Sequence, residues 1–233
     1  MMQPAFLLSC LLFLVLVSNL STSRAASSSL VRSIQLDVEP YTLSEWTQNQ
    51  TQTADYYLDM IDKLKQLKSP IPLRFAIPRW FDGISHTRNG VTKKLSEFVQ
   101  DRGNLMIMDY VNSGTRAVRD ASTEIQYALK SGTRVVVGIE TMELPSEPTA
   151  TYFGKSFQEL ENDLNFIENT FNGNASYEGV AVHDYKWYKN FTQNFTQPFS
   201  SVKRDLYVWD SDVILKESAR QEFLLTCPSL RES

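Results

Sequence analysis

Residues 34–40 read Ile-Gln-Leu-Asp-Val-Glu-Pro, and the reading of this stretch decides the fold. An apolar run closed by proline suits a buried strand, yet Asp37 and Glu39 lie inside it. Buried carboxylates are costly unless paired or hydrogen-bonded. Strand side chains alternate between faces, so Asp37 and Glu39 share one face while Leu36 and Val38 take the other. Either the strand is an exposed edge, or its carboxyl end delivers two acids to a site.

Four further apolar runs follow, at 73–77, 105–108, 134–139 and 179–182. Helical periodicity fills most of the gaps. Tyr57, Met60, Ile61, Leu64 and Leu67 share one face, as do Ala121, Ile125, Ala128 and Leu129. Phe157, Leu160, Leu164, Ile167 and Phe171 make the clearest stripe. Between the second and third runs the helical signal is thin, carried by Leu95, Phe98 and Val99. Strands alternating with helices predict βαβ units and a parallel sheet.

The ends of the runs are the informative places. The first ends in Asp37-Val38-Glu39-Pro40 and the second in Pro78-Arg79-Trp80. The third ends in Met108-Asp109-Tyr110, the fourth in Gly138-Ile139-Glu140 and the fifth in His183-Asp184-Tyr185. Each run thus delivers ionisable groups at its carboxyl end, where (β/α) barrels and open α/β sheets build their sites. A single Asp in such a place can equally cap the helix that follows, a reading that applies to Asp109 and Asp184 one at a time. Five strands sharing the habit favour a common pocket.

The 233 residues are 42% hydrophobic and 21% charged, enough for one substantial core. A net charge of −4 without a basic stripe argues against nucleic acid. Phe6 to Val17 form a short apolar core before Ser23-Arg24-Ala25, the pattern of a cleaved secretory signal over residues 1–25. The run is too short for a membrane span, so no stable membrane insertion is expected. Sequons at Asn49, Asn174, Asn190 and Asn194 fit a secreted, extracellular glycoprotein. Removal of the leader, which holds Cys10, leaves Cys227 alone, so no intrachain disulfide is expected. His86 and His183 are the only histidines and lack metal-ligand spacing. Neither metal nor cofactor is expected.

Asp37-Val38-Glu39 resembles the end of the Asp-x-Asp-x-Glu motif on strand four of family 18, the chitinase-type barrels. Met108-Asp109-Tyr110 is similar to that family's Met-x-Tyr on strand six, and Trp187 follows the last strand where the family has a tryptophan. Glu39-Pro40 and Glu140 also resemble the paired glutamates on strands four and seven of a retaining glycosidase clan. Taken whole, the chain looks most like an uncharacterised group of secreted barrels related to glycoside hydrolases. The resemblance implies an α/β fold with a parallel (β/α) barrel-type sheet, an incomplete or permuted TIM barrel. Residues 26–197 would then hold strands four to eight. Residues 198–233 would add a strand at 206–209 and an amphipathic helix ending near Cys227, similar to strand one of a permuted or tandem barrel. A truncated gene, or a simple helical cap at the C-terminus, is the alternative.

That resemblance also implies chemistry. Glycoside hydrolysis takes one carboxylic acid to protonate the leaving oxygen and a second carboxylate to support the oxocarbenium-like state. Glu39 is expected to be the acid, with Asp37 raising its pKa by like-charge repulsion, and Glu140 the nucleophile or base. Tyr110, Trp80 and Trp187 are expected against sugar rings, and Arg79, Asp109, His183 and Asp184 as further substrate contacts. The ligand is then a polysaccharide or oligosaccharide. A non-catalytic carbohydrate-binding relative, or a fragment without activity, remains as the competing reading.

Overall fold

A computed structural model describes residues 15–16, 33–193 and 206–209. Its elements, in chain order, are β1 (Val15–Leu16), β2 (Ile34–Asp37), α1 (Ser44–Gln48), α2 (Gln50–Gln66), β3 (Leu73–Pro78), β4 (Ser85–Arg88), β5 (Val91–Lys94), α3 (Leu95–Gln100), β6 (Asn104–Met108), α4 (Gly114–Ser131), β7 (Val135–Glu140), α5 (Phe157–Phe171), β8 (Tyr177–His183), α6 (Tyr185–Gln193) and β9 (Leu206–Trp209). Two 3-10 turns, Pro40–Thr42 and Arg79–Gly83, follow β2 and β3. The chain is α/β, built on a parallel sheet.

The sheet order is β1-β2-β3-β6-β7-β8-β9. From β2 to β9 every pairing is parallel, and each strand pairs with the one before it in this sheet; only β1 runs antiparallel. A right-handed crossover repeated in one direction sends each helix to the same side. The core reflects this. Leu36, Phe75, Ile77, Leu105, Ile107, Val137, Ile139, Val180 and Val182 pack with helical residues such as Leu58, Ile61, Ala121 and Leu164. A smaller cluster on the opposite, inner face holds Ala76, Met106, Met108, Val136 and Ala181. Both faces are buried, which is why Val135-Val136-Val137 reads as a continuous apolar run.

Arg74 of β3 pairs with Glu178 of β8 at 2.5 Å. Strands β6 and β7 lie between them, so a flat sheet would set β3 and β8 about 14 Å apart. The contact requires both side chains to lean over the intervening strands, as a curled sheet with a concave inner face allows.

Helix ends follow local chemistry. The Asn49 side chain accepts the Gln52 N–H at the start of α2. Ser156 and Glu159 form a reciprocal capping box on α5. Gly132, at φ +70°, ends α4 in the left-handed region that a Cβ would penalise. Gly114 opens α4 where a Cβ would sit 2.9 Å from the Asp163 carbonyl oxygen; its absence lets α4 and α5 approach backbone to backbone.

The link between β3 and β6 departs from expectation. Besides the short α3 it holds an antiparallel hairpin, β4–β5. Asn89 (φ +52°) and Gly90 (φ +76°) form its two-residue turn, the Asn-Gly signature of a primed turn that suits strand twist. Arg88 ties the hairpin to α2 through Asp55, Asp59 and Asp62. The leader, Asn194, Cys227 and the expected C-terminal helix lie outside the described residues, apart from Val15–Leu16. Among the described residues no helix is long and apolar enough to cross a membrane.

Candidate functional site

Alternation along each strand sorts the residues expected at the carboxyl rim into two groups. Leu36 and Val38 pack into the helix-side core, so Asp37 and Glu39 project from the inner face. Ile139 does the same and turns Glu140 inward, while Val182 turns His183 inward. Tyr110 follows β6 and packs on the inner cluster, as does Tyr41 from the turn after β2. These six residues form one group, electrostatically linked through Tyr110, which senses the charges of Glu140, Asp37 and Glu39.

Glu140 is 2% exposed. Its Oε1 accepts the N–H groups of Thr141 and Met142, each at 2.7 Å. Its Oε2 lies 2.6 Å from Nδ1 of His183, so the Nδ1 proton is donated to the carboxylate. The loop after β7 closes over this acid: Tyr152 N–H donates to the Glu140 carbonyl, and Thr151 Oγ1 donates to that of Met142. A carboxylate receiving three N–H donors is an anchor for the imidazole. Burial pulls the His183 pKa down, but the Glu140 hydrogen bond and charge, with Asp184 and Asp37, outweigh it and leave it raised. Tyr110 stacks on the ring at 6.2 Å and 19°.

Asp37 and Glu39 differ in support. Tyr41 donates to Glu39 Oε1 at 2.5 Å. Asp37 Oδ1 is buried without a hydrogen-bond partner among the described residues. Burial, then the charge of Glu39, push the Asp37 carboxyl up to about 6, against a lowering pull from His183. Glu39 was expected to be raised by Asp37; the charge of Glu39 acts on Asp37 in the same sense. Exposed Trp80 borders this end of the rim, packing edge-on against Tyr41 (5.1 Å) and Trp46 (6.1 Å). At the other end Phe153, from the β7–α5 loop, meets Trp187 at 5.2 Å and 90°. Asp184 accepts the Trp187 N–H at 3.0 Å and caps α6.

Arg79 and Asp109 belong to the second group, behind the sheet. Arg79 pairs with Asp120 of α4 at 2.8 Å. Asp109 is fully buried and continues the parity of Leu105 and Ile107; neither of its carboxyl oxygens has a partner among the described residues. Burial, then the Asp120 charge, raise it to about 8 despite Arg79, Arg116 and Arg119. Glu124 of α4 is 1% exposed, its carboxyl equally without a closed hydrogen bond though Ser96 lies beside it. Burial and Asp82 raise it to about 8 as well. Tyr41 and Glu124 escaped sequence reasoning. Tyr41 carried a signal, since it sits directly after the Asp37-Glu39-Pro40 run; Glu124 carried none, lying among exposed helical polar residues in the sequence.

Asn49 and Asn190 are exposed. Asn174 is half-buried, and its side-chain oxygen accepts from the N–H and hydroxyl of Ser176. Ser176 is itself buried and donates to the Ile125 carbonyl. Among the described residues no group of three or more His, Cys, Asp or Glu side chains could hold a metal ion.

No protein-family model matches this chain, and no curated protein matches it either. The functional reading therefore rests on the geometry.

Proposed function

We propose that the chain is a secreted glycoside-hydrolase-like protein, an incomplete or permuted (β/α) barrel that acts on a polysaccharide or oligosaccharide by carboxylate acid/base catalysis. The observation that carries the reading is the gathering of Asp37, Glu39, Tyr110, Glu140 and His183 on the inner face at the carboxyl ends of parallel strands. Sequential parallel pairing and the Arg74–Glu178 contact support barrel-type curvature.

In this reading Asp37 holds the proton for the glycosidic oxygen and Glu39 supplies the opposing negative charge. The pattern is that of two carboxyls whose surroundings push their protonation apart. His183, set by Glu140 and faced by Tyr110, lines the floor and donates hydrogen bonds to hydroxyls. Trp80 at one end and Phe153 with Trp187 at the other offer flat apolar faces to sugar rings. The reading is tested by incubating the full mature chain with a panel of neutral oligosaccharides and aryl glycosides. Turnover supports it; saturable binding without turnover favours the non-catalytic relative, and neither refutes both.

Secretion makes a separate prediction. Material from a eukaryotic host should carry glycans at exposed Asn49 and Asn190, and Asn174 should be empty because its amide and Ser176 are locked into the fold. Peptide mapping after enzymatic deglycosylation checks this. Glycan found mainly at Asn174, or at none of the three, contradicts it.

A further inference from the structure

We propose that Tyr41 is a positioning residue for the acid pair: its hydroxyl holds Glu39 as the charged partner and so leaves the pair's proton on Asp37. This inference rests on the acid–carboxylate reading of the rim and assigns the two roles within it.

Pro40 fixes φ at the first position of the 3-10 turn. The Glu39 carbonyl accepts both the N–H and the hydroxyl of Thr42, at 3.1 and 2.7 Å. The main chain of Glu39 is thereby fixed, and the same turn brings Tyr41 back to its carboxylate at 2.5 Å. The Tyr41 ring cannot drift: it packs edge-on against Trp80 at 5.1 Å and Phe81 at 6.2 Å, and touches both apolar clusters.

The chemistry follows from donor and acceptor roles. Burial, then the hydrogen bond to Glu39, push the Tyr41 phenol far above its ordinary range, so it keeps its proton and acts as donor. An O–H donor stabilises the ionised form of a carboxyl. Asp37 Oδ1 receives no such donor among the described residues. Two acids on one strand face repel when both are charged, so a shared proton settles on the one lacking the donor. The other groups facing the pair are Tyr57 from α2, Tyr110 after β6, Glu140 of β7 and His183 of β8. Among these groups His183 alone can carry positive charge, and it favours charge on Asp37; burial and Glu39 outweigh it.

The test is a carbon-13 titration of side-chain carboxyls in wild type and Tyr41→Phe, with Asp37→Asn and Glu39→Gln assigning the signals. Phenylalanine keeps the ring and its packing, so the fold persists; unchanged thermal melting checks that. In wild type the Asp37 carbon should titrate near 6. In Tyr41→Phe both carbons should follow one shared two-step curve, as coupled acids do. If the protein turns over glycans, kcat should fall about tenfold with KM within about twofold, the mark of an interaction used mainly in the transition state. An Asp37 curve identical in both proteins overturns the proposal. A changed curve in a protein that hydrolyses nothing leaves the Tyr41 assignment standing and refutes the catalytic reading instead.

Discussion

Glu124→Gln should make the protein more stable at pH 8, by on the order of 3 kcal/mol in chemical denaturation, while leaving it little changed near pH 4. Glu124 is buried, and burial with the Asp82 charge raises its pKa to about 8. An acid whose folded pKa lies above its unfolded value binds its proton more tightly when folded. Its contribution is fully present below the unfolded value of about 4.3 and is lost as pH rises toward 8. The amide cannot ionise, so the loss disappears. It can also donate to Ser96 Oγ or Gln100 Oε1, both buried beside it. Asp109, raised for the same reason, keeps part of the slope in the single variant. A wild-type stability that stays flat from pH 5 to 8 would show that this pair is ionised inside the fold and would refute the account.

Glu140→Gln should have the opposite sign. The substitution keeps the shape but removes the charge that His183 donates to at 2.6 Å. Breaking a buried, hydrogen-bonded pair by neutralising one partner costs about 3 kcal/mol. His183 sits above its ordinary pKa through Glu140, so the stability it contributes is present below about 6.5 and is lost as pH rises through the folded value. The penalty should therefore be larger at pH 6 than at pH 9. With two histidines in the chain, and His86 held by Asp55 at 3.0 Å, the proton spectrum of the imidazoles is simple to assign. The His183 midpoint should fall in Glu140→Gln. A stationary His183 midpoint would mean that Glu140 does not set its protonation.

The parallel sheet was legible because its strands are buried on both faces: runs such as Val135 to Ile139 and Leu105 to Met108 stay apolar without alternation. The period-2 rule also placed Asp37 and Glu39 on one face, since Pro40 ended the strand and Leu36 and Val38 needed the core. The β4–β5 hairpin was missed because His86, Thr87, Thr92 and Lys93 lack an apolar face; its Asn89-Gly90 turn was the one available sign. Side-chain position within the rim was less legible. Asp109 and Tyr110 are neighbours in sequence, yet parity sends one behind the sheet and the other into the site. The Tyr41 hydroxyl on Glu39 was not readable either, because it depends on a tyrosine two residues downstream folding back through a 3-10 turn. The three N–H donors on Glu140 were not legible, two coming from the backbone that follows it and one from a strand 43 residues on.

The most direct test of the central claim is the pH dependence of oligosaccharide turnover by the wild type beside Asp37→Asn. If Asp37 is the proton donor, wild-type kcat/KM should decline on the alkaline side of about 6, reporting loss of the essential acid in the free enzyme. Asp37→Asn should lose about a thousandfold or more in kcat while still binding the sugar and melting cooperatively. A variant that retains wild-type turnover, or a wild type whose rate rises through pH 6 instead of falling, would contradict the assignment.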